Sequence, residues 1–358
     1  MYGKKLRTFL ICILLMNSLI FSQVATAATT KNREEFTEEL YKAVTNRESK
    51  VTITYTGKDG SKVFEEFDEL LADVYQIDDE NTSSDADYIQ GLLKSYKVSS
   101  NGRQFNINFQ YYETLKETKA VDAKVKQVLK SLGVSSLSAY GKVKAVHDYI
   151  VNQVEYDTEL ESFSAYDGLI NNSTVCNGYA LLFYKMVTEA GVPCKIITGI
   201  AEADGVQAQH AWNIVKLNKK WYFVDTTWDD PIGGTRIYYD YFLKGSNTFG
   251  KDHIATDRFS TKEVLKKYPI SKTNYKVSES DIKMISKLSL KVKKSKKITL
   301  PIPEKASVQW KSSNMKTATV SKTGKITAKA KGVATITAKV TMPDETVKTL
   351  TTKVTITK

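Results

Sequence analysis

The stretch Thr174-Val175-Cys176-Asn177-Gly178-Tyr179-Ala180-Leu181-Leu182-Phe183 sets the tightest limit on how this chain can fold. Asn171, Asn172, Ser173 and Thr174 are loop or cap residues, and the apolar run behind them has helical spacing. Ala180, Leu181, Phe183, Tyr184 and Val187 give the helix a broad apolar face, and Gly191 with Pro193 stops it. A helix with such a face must be buried, so the rest of the chain is expected to pack around it. Cys176 stands at its first turn. There a thiol meets unpaired N–H groups and the positive end of the helix dipole, and both favour the nucleophilic thiolate.

Two downstream residues complete an arrangement for chemistry. His210 lies in His210-Ala211-Trp212-Asn213, and Asp225 in Trp221-Tyr222-Phe223-Val224-Asp225-Thr226-Thr227-Trp228. Both sit on strand-like runs, 210–217 and 221–228, joined at Asn218-Lys219-Lys220, a hairpin signal. A two-residue loop at Asn218-Lys219, or a four-residue loop over 217–220, sets Asp225 opposite Trp212. His210 is then its diagonal neighbour on the same face, roughly 7–8 Å away at Cα. An odd loop without a bulge would separate them to opposite faces. Cysteine as nucleophile, histidine as base and then acid, and aspartate orienting the imidazole suit acyl transfer through a thioester. Singly, the aspartate and the histidine read equally well as structural groups; their order behind a helix-start cysteine favours the catalytic reading. His147, on a helix in His147-Asp148-Tyr149, is expected to be structural, and His253, in Lys251-Asp252-His253, to lie in a loop. Three histidines with no cysteine or carboxylate cluster give no metal signal, and no cofactor is expected.

Charge is unevenly placed along the 358 residues. The net charge is +12, yet residues 271–358 hold 20 Lys, no Arg and 5 acids, or +15, and residues 1–27 add +3, which leaves 28–270 at −6. The basic balance belongs to the C-terminal part, which points to anionic cell-wall polymers; no nucleic-acid motif accompanies it. Residues 1–27 read as an export signal: Lys4, Lys5 and Arg7, then an apolar run from Phe9 to Phe21, then Ala25-Thr26-Ala27 as a cleavage pattern. No other segment reads as a membrane span, so the mature protein is expected to be secreted and in part wall-associated. Cys12 leaves with the signal. A disulfide between Cys176 and Cys194 is disfavoured, because about 14 helical residues span ~21 Å and bridged Cα atoms lie within ~7 Å.

The expected organisation is a signal peptide over 1–27, an α+β leader over 28–117, a catalytic domain over 118–270 and an all-β domain over 279–358. In the leader, helices are expected within 28–50, 64–74 and 86–96, a polar loop over 78–85, and strands at 51–56 and 104–112, the last alternating Phe105, Ile107, Phe109 and Tyr111 with polar residues. No chemistry is visible there. Helices with apolar stripes follow at Val121–Leu132 positions and at 139–154, the latter capped by Ser138. After about Tyr275 the chain turns rich in Lys, Thr, Val and Ile, with short alternating strands that suggest a β-sandwich with its own core, separable from the catalytic part.

Val175-Cys176-Asn177-Gly178-Tyr179-Ala180, His210-Ala211-Trp212-Asn213 and Trp221 through Pro231 resemble the bacterial transglutaminase-like superfamily. His147-Asp148-Tyr149-Ile150, Tyr156-Asp157, Ser164-Ala165-Tyr166 and Tyr239-Asp240-Tyr241-Phe242-Leu243 are similar to its flanking segments, so the resemblance covers roughly 118–265. It implies a papain-like α+β fold, with the Cys176 helix packed on an antiparallel sheet carrying His210 and Asp225. Trp310-Lys311-Ser312-Ser313-Asn314, Gly324-Lys325-Ile326-Thr327-Ala328 and Gly332-Val333-Ala334-Thr335-Ile336 resemble a group 2 bacterial immunoglobulin-like domain. The expectation is therefore a secreted cysteine acyl-transfer enzyme acting on protein or cell-wall peptide amides, by hydrolysis or amine cross-linking. The Cys176 N–H is expected in the oxyanion hole, with Tyr166 as a guess for the second donor. The alternative is a non-catalytic surface protein that uses both domains for binding or adhesion.

Overall fold

The computed structural model describes residues 26–77, 83, 86–203, 205–230, 233, 236–255 and 266–358. The body of the expected signal, 1–25, and most of the polar loop 78–85 lie outside the described residues.

The leader folds around one sheet. Strand β1 (Thr26–Thr30) pairs in parallel with β2 (Lys50–Tyr55), so the described strand begins before the expected cleavage point after Ala27. Helix α1 (Arg33–Thr45) is N-capped by Asn32, whose side chain accepts from the Glu35 N–H. Helices α2 (Gly60–Glu65) and α3 (Phe67–Val74) follow. The helix expected over 86–96 is cut short: α4 covers Asp87–Leu92 and gives way to strand β3 (Leu93–Ser100). Gly91 weakens the helix, while Tyr96 and Val98 find partners across from β4 (Gln104–Tyr111), so sheet pairing overrides the short helical run. In β4, Phe105, Ile107 and Phe109 are buried and the residues between them exposed, as the alternation requires. The sheet order is β1-β2-β4-β3, and its inner face packs on Phe36, Leu40 and Val44 of α1 and on Leu70, Leu71 and Val74 of α3.

Two helices carry the chain into the central domain. Helix α5 (Leu115–Leu132) opens with a capping box between Thr114 and Glu117 and closes at Gly133, whose φ of 69° is left-handed. Helix α6 (Ala139–Gln153) is capped by Ser138. Strands β5 (Glu155–Tyr156) and β6 (Ser173–Thr174) make a short parallel pair that leads into α7 (Cys176–Glu189). Every residue of α7 from Gly178 to Val187 is buried. Each large apolar side chain there stabilises the fold by roughly 1.5–3 kcal/mol relative to exposure. One flank of α7 meets β7 (Cys194–Ala203) and β8 (Val206–Leu217), and the others meet α5, α6 and the leader helix α4. Lys185, fully buried in α7, pairs with Asp122 of α5 and lies 4.3 Å from the Tyr88 ring centre of α4, which ties the leader to the helix. Strand β9 (Lys220–Val224), the short helix α8 (Ser246–Phe249) and strand β10 (His253–Ala255) complete an antiparallel sheet of order β10-β7-β8-β9.

The C-terminal part is a sandwich. Strands β11 (Lys287–Lys291), β12 (Ser295–Lys297), β13 (Ser307–Ser312), β14 (Ala318–Val320), β15 (Lys325–Ala328), β16 (Gly332–Thr341) and β17 (Val347–Thr357) form sheets of order β11-β17-β16-β13 and β12-β15-β14. The sandwich does not stand apart. Its core continues through Ile282, Ile298 and Leu300 into Leu132, Leu137 and the α6 side chains. Ser138 Oγ donates to the Asp281 carbonyl, and Tyr275 stacks on Tyr140 with ring centres 5.8 Å apart. Ile298 and Leu300 belong to one continuous cluster with the central helices, which charge counting along the chain cannot show. Among the described residues no helix is long and apolar enough to cross a membrane.

Candidate active site

The approach to Cys176 is fixed by hydrogen bonds before the helix starts. Thr174 Oγ1 donates to the carbonyls of Ser162 and Ser164, and the Val175 N–H donates to Ser162. Gly178 lets the first turn press against this loop: a Cβ there would lie 1.9 Å from Thr174 Oγ1 and 2.6 Å from the Ser164 carbonyl. Asn177 Nδ2 donates to the carbonyls of Gly91 (3.0 Å) and Phe163 (2.8 Å), pinning the leader to the helix. Cys176 is half-buried at the first helical position, while Cys194 is buried; both thiols are free. Burial pushes the Cys194 thiol well above its ordinary range, which makes it inert.

The hairpin has the even register. Asn218 and Lys219, with φ of 49° and 68°, form a two-residue turn, Leu217 pairs with Lys220, and Asn213 pairs with Val224. Asp225 follows as the first residue past the ladder, on the face of His210. His210 Nε2 donates to Asp225 Oδ2 at 2.6 Å, and Cys176 is a hydrogen-bond partner of the same imidazole. The three residues are thus brought together in one chain of contacts.

The electrostatics follow from burial and pairing. Burial disfavours charge on His210, but the Asp225 carboxylate and Cys176 outweigh it and raise its pKa to about 10. Burial likewise opposes charge on Asp225, which is 1% exposed; His210 and His253 prevail and hold the carboxyl well below the usual range. Asp225 Oδ1 also accepts from the N–H groups of Thr227 (2.9 Å) and Trp228 (3.2 Å). An ionised aspartate facing a protonated imidazole holds the ring in place beside Cys176.

His253 departs from the sequence expectation. It lies on β10, not in a loop, its ring is buried, and its Nε2 sits 3.0 Å from Asp225 Oδ2. A three-residue edge strand is too short for periodicity to announce, and a single Asp-His pair carries no spacing signal. The alternation of inward His253 with outward Ile254, which is 57% exposed, was the trace available. His210, Asp225 and His253 offer ligand atoms within 4.8 Å of one another, yet these atoms are engaged in the triad's hydrogen bonds, which a cation would have to displace. Tyr166 does not fit the oxyanion guess: its N–H donates to Glu113 Oε2, and it lines neither cavity beside the thiol. His147 is fully buried, with Nε2 2.9 Å from Asp229 Oδ2 and Nδ1 3.2 Å from Asp148 Oδ1, as the structural reading expects.

Two cavities meet at the thiol. One, of about 410 Å³, runs along Ile196 and Thr198 and has leader residues Gly91, Leu93 and Tyr112 as its far wall. The other, of about 400 Å³, is lined by Tyr156, Ala203, Val206 and Trp228. Both are bordered by Cys176, Gln209 and His210, so the nucleophile lies on the ridge between them. The leader, silent in sequence, builds one side of the cleft.

Residues 126–226 match the family model of the transglutaminase-like superfamily, and residues 284–352 match that of the group 2 bacterial Ig-like domain. The kyphoscoliosis peptidase of Mus musculus is 30% identical over 168 residues, which is 38% of this chain and 25% of that protein. Its Homo sapiens counterpart is 31% identical over 138 residues, covering 33% of this chain and 21% of that protein. The chain thus spans about a quarter of the length of the curated relatives it matches. A solved structure described as a TGase aligns with 17% identity and a TM-score of 0.27 over 56% of this chain and 59% of its own. The chain carries a transglutaminase-like domain of mixed helices and sheet, followed by a strand-rich group 2 bacterial immunoglobulin-like domain.

Proposed function

We propose that this protein is an exported cysteine acyl-transfer enzyme acting on protein or cell-wall peptide amides. The observation that carries the proposal is the hydrogen-bonded series Cys176, His210, Asp225 on the ridge between two open cavities. Cys176 attacks the amide carbonyl of a substrate in the cleft. The Cys176 N–H, in the first helical turn where no intrahelical acceptor exists, faces the developing oxyanion. His210 delivers its proton to the leaving amine, and a thioester remains on Cys176. Water or a second amine, activated by the now neutral imidazole, then releases the acyl group and restores the thiol. Cavities on both sides of the thiol give room for an acyl donor and for an incoming amine.

The test is labelling of the full chain with iodoacetamide, read by mass spectrometry, followed by turnover of glutamine-containing and peptide substrates. Cys176 is modified first and Cys194 remains unmodified. Equal labelling of both cysteines rejects the enzyme and leaves a binding protein.

Export rests on the basic, apolar and small-residue pattern of 1–27, and wall association on the lysines of 271–358. Lys296 and Lys348 donate to the carbonyls of Ser131 and Glu279, and the other lysines leave the module a net positive charge for a polymer to meet. Summed attraction to anionic polymer weakens as salt screens it. Sedimentation of the full chain with purified cell walls across a salt series checks this; binding that ignores salt makes the module a spacer.

A further inference from the structure

The chain has three histidines, and two of them meet on one carboxylate oxygen. His253 reaches Asp225 because β10 runs unusually close to β7. Gly199 makes this approach: a Cβ there would lie 2.1 Å from the Ile254 carbonyl. The ring is fixed from both ends. Its Nε2 faces Asp225 Oδ2 at 3.0 Å and its Nδ1 faces Asp252 Oδ1 at 2.6 Å, while the other Asp252 oxygen accepts the Tyr241 hydroxyl at 2.8 Å. Aromatic rings of Phe249, Trp228 and Trp212 enclose it, with centres 4.2, 4.5 and 5.0 Å away.

We infer that His253 is a positioning residue of the triad, a second fixed donor that holds Asp225 Oδ2 against His210. The inference rests on the acyl-transfer reading of Cys176 and His210. Carboxylate oxygens accept and do not donate, so the His253 Nε2–H is the donor to Asp225 Oδ2. The His253 ring lies 5.5 Å from the His210 ring, centre to centre, and the two imidazoles meet the same carboxylate oxygen. The contact fixes Asp225, and through it the orientation of the imidazole beside Cys176.

The experiment is the rate of Cys176 alkylation by iodoacetamide in the full chain, with circular dichroism as the folding control. His253→Phe fills the aromatic enclosure without a donor and slows alkylation by roughly tenfold through a misplaced imidazole, and His253→Gln, which keeps a donor for Asp225, partly restores the rate. Asp252→Asn loosens the same ring and slows alkylation by less; it serves if His253→Phe does not fold. Alkylation at the wild-type rate in both His253→Phe and Asp252→Asn overturns the inference and leaves His253 as a packing residue. Failure of the enzyme reading looks different: the wild-type thiol is then not selectively alkylated, or His210→Ala does not slow it, whatever the His253 variants show.

Discussion

Two histidine–aspartate pairs hang from one short loop of this protein and differ in what surrounds them. Asp225 and Asp229 lie four residues apart, each accepting a histidine Nε2 on its Oδ2. His210 borders both cavities and has Cys176 as its other partner. His147 has no exposed surface; Asp148 faces its second nitrogen and Tyr239 stacks on its ring at 5.3 Å. Asp229 gives its remaining oxygen to the Tyr241 N–H, which anchors the loop from below. In both pairs the carboxylates raise the histidine pKa against the effect of burial. On the acyl-transfer reading, the difference teaches that a histidine–aspartate pair serves chemistry when it has access to a nucleophile and to open space, and is otherwise a clamp on the backbone.

The largest separation between the pairs is expected on deleting the histidines. His210→Ala lowers turnover and Cys176 alkylation by about 10³-fold or more while circular dichroism stays native. His147→Ala leaves Asp229 buried without its partner and costs about 3–5 kcal/mol of stability, read by denaturant melting. Equal loss of chemistry in a folded His147→Ala protein would erase the distinction.

The aspartates come next. Asp225→Asn keeps the shape but removes the charge that orients and protonates His210, so activity falls by roughly 10²–10⁴-fold. Asp229→Asn costs about 1–3 kcal/mol and leaves the His210 titration where it was.

A smaller effect concerns pH. The folded pKa of His210 is raised to about 10, so its pairing contributes fully below its unfolded value of roughly 6.5 and is lost as pH rises through about 10. Asp225 is lowered, so its contribution is present above roughly 3.9 and is lost as pH falls through its depressed folded value. Urea melts across pH should show the alkaline loss in wild type and not in Asp225→Asn; an unchanged loss in that variant assigns it elsewhere.

The smallest expected effect is at Tyr239, whose hydroxyl donates to Asp148 Oδ1 at 3.0 Å and accepts from Lys144 at 2.7 Å. Tyr239→Phe costs about 1 kcal/mol with turnover unchanged, and a drop in turnover would connect the buried pair to the chemistry.

Much of the site was legible because its parts are local. The helix behind Cys176 announces itself by apolar spacing and stop residues, and the turn at Asn218-Lys219 sets a parity that carries His210 and Asp225 to one face. Cys194 could be set aside by helix length. The helix read over 86–96 went astray because strand β4, which captures residues 93–100, lies beyond a turn and competes through long-range pairing.

The sequence by itself determined the buried helix, the hairpin register, the shared face of His210 and Asp225 and the β-rich C-terminal module. Each depends on periodicity or on a turn a few residues long, and such signals survive in one dimension. Tertiary structure alone decided that His253 shares Asp225, that the leader walls one cavity, and that Ile298 and Leu300 join the core of the central helices. These contacts join residues far apart in the chain. They exist because burying apolar surface and pairing buried charges reward whatever surfaces meet, and sequence spacing does not record which surfaces those are.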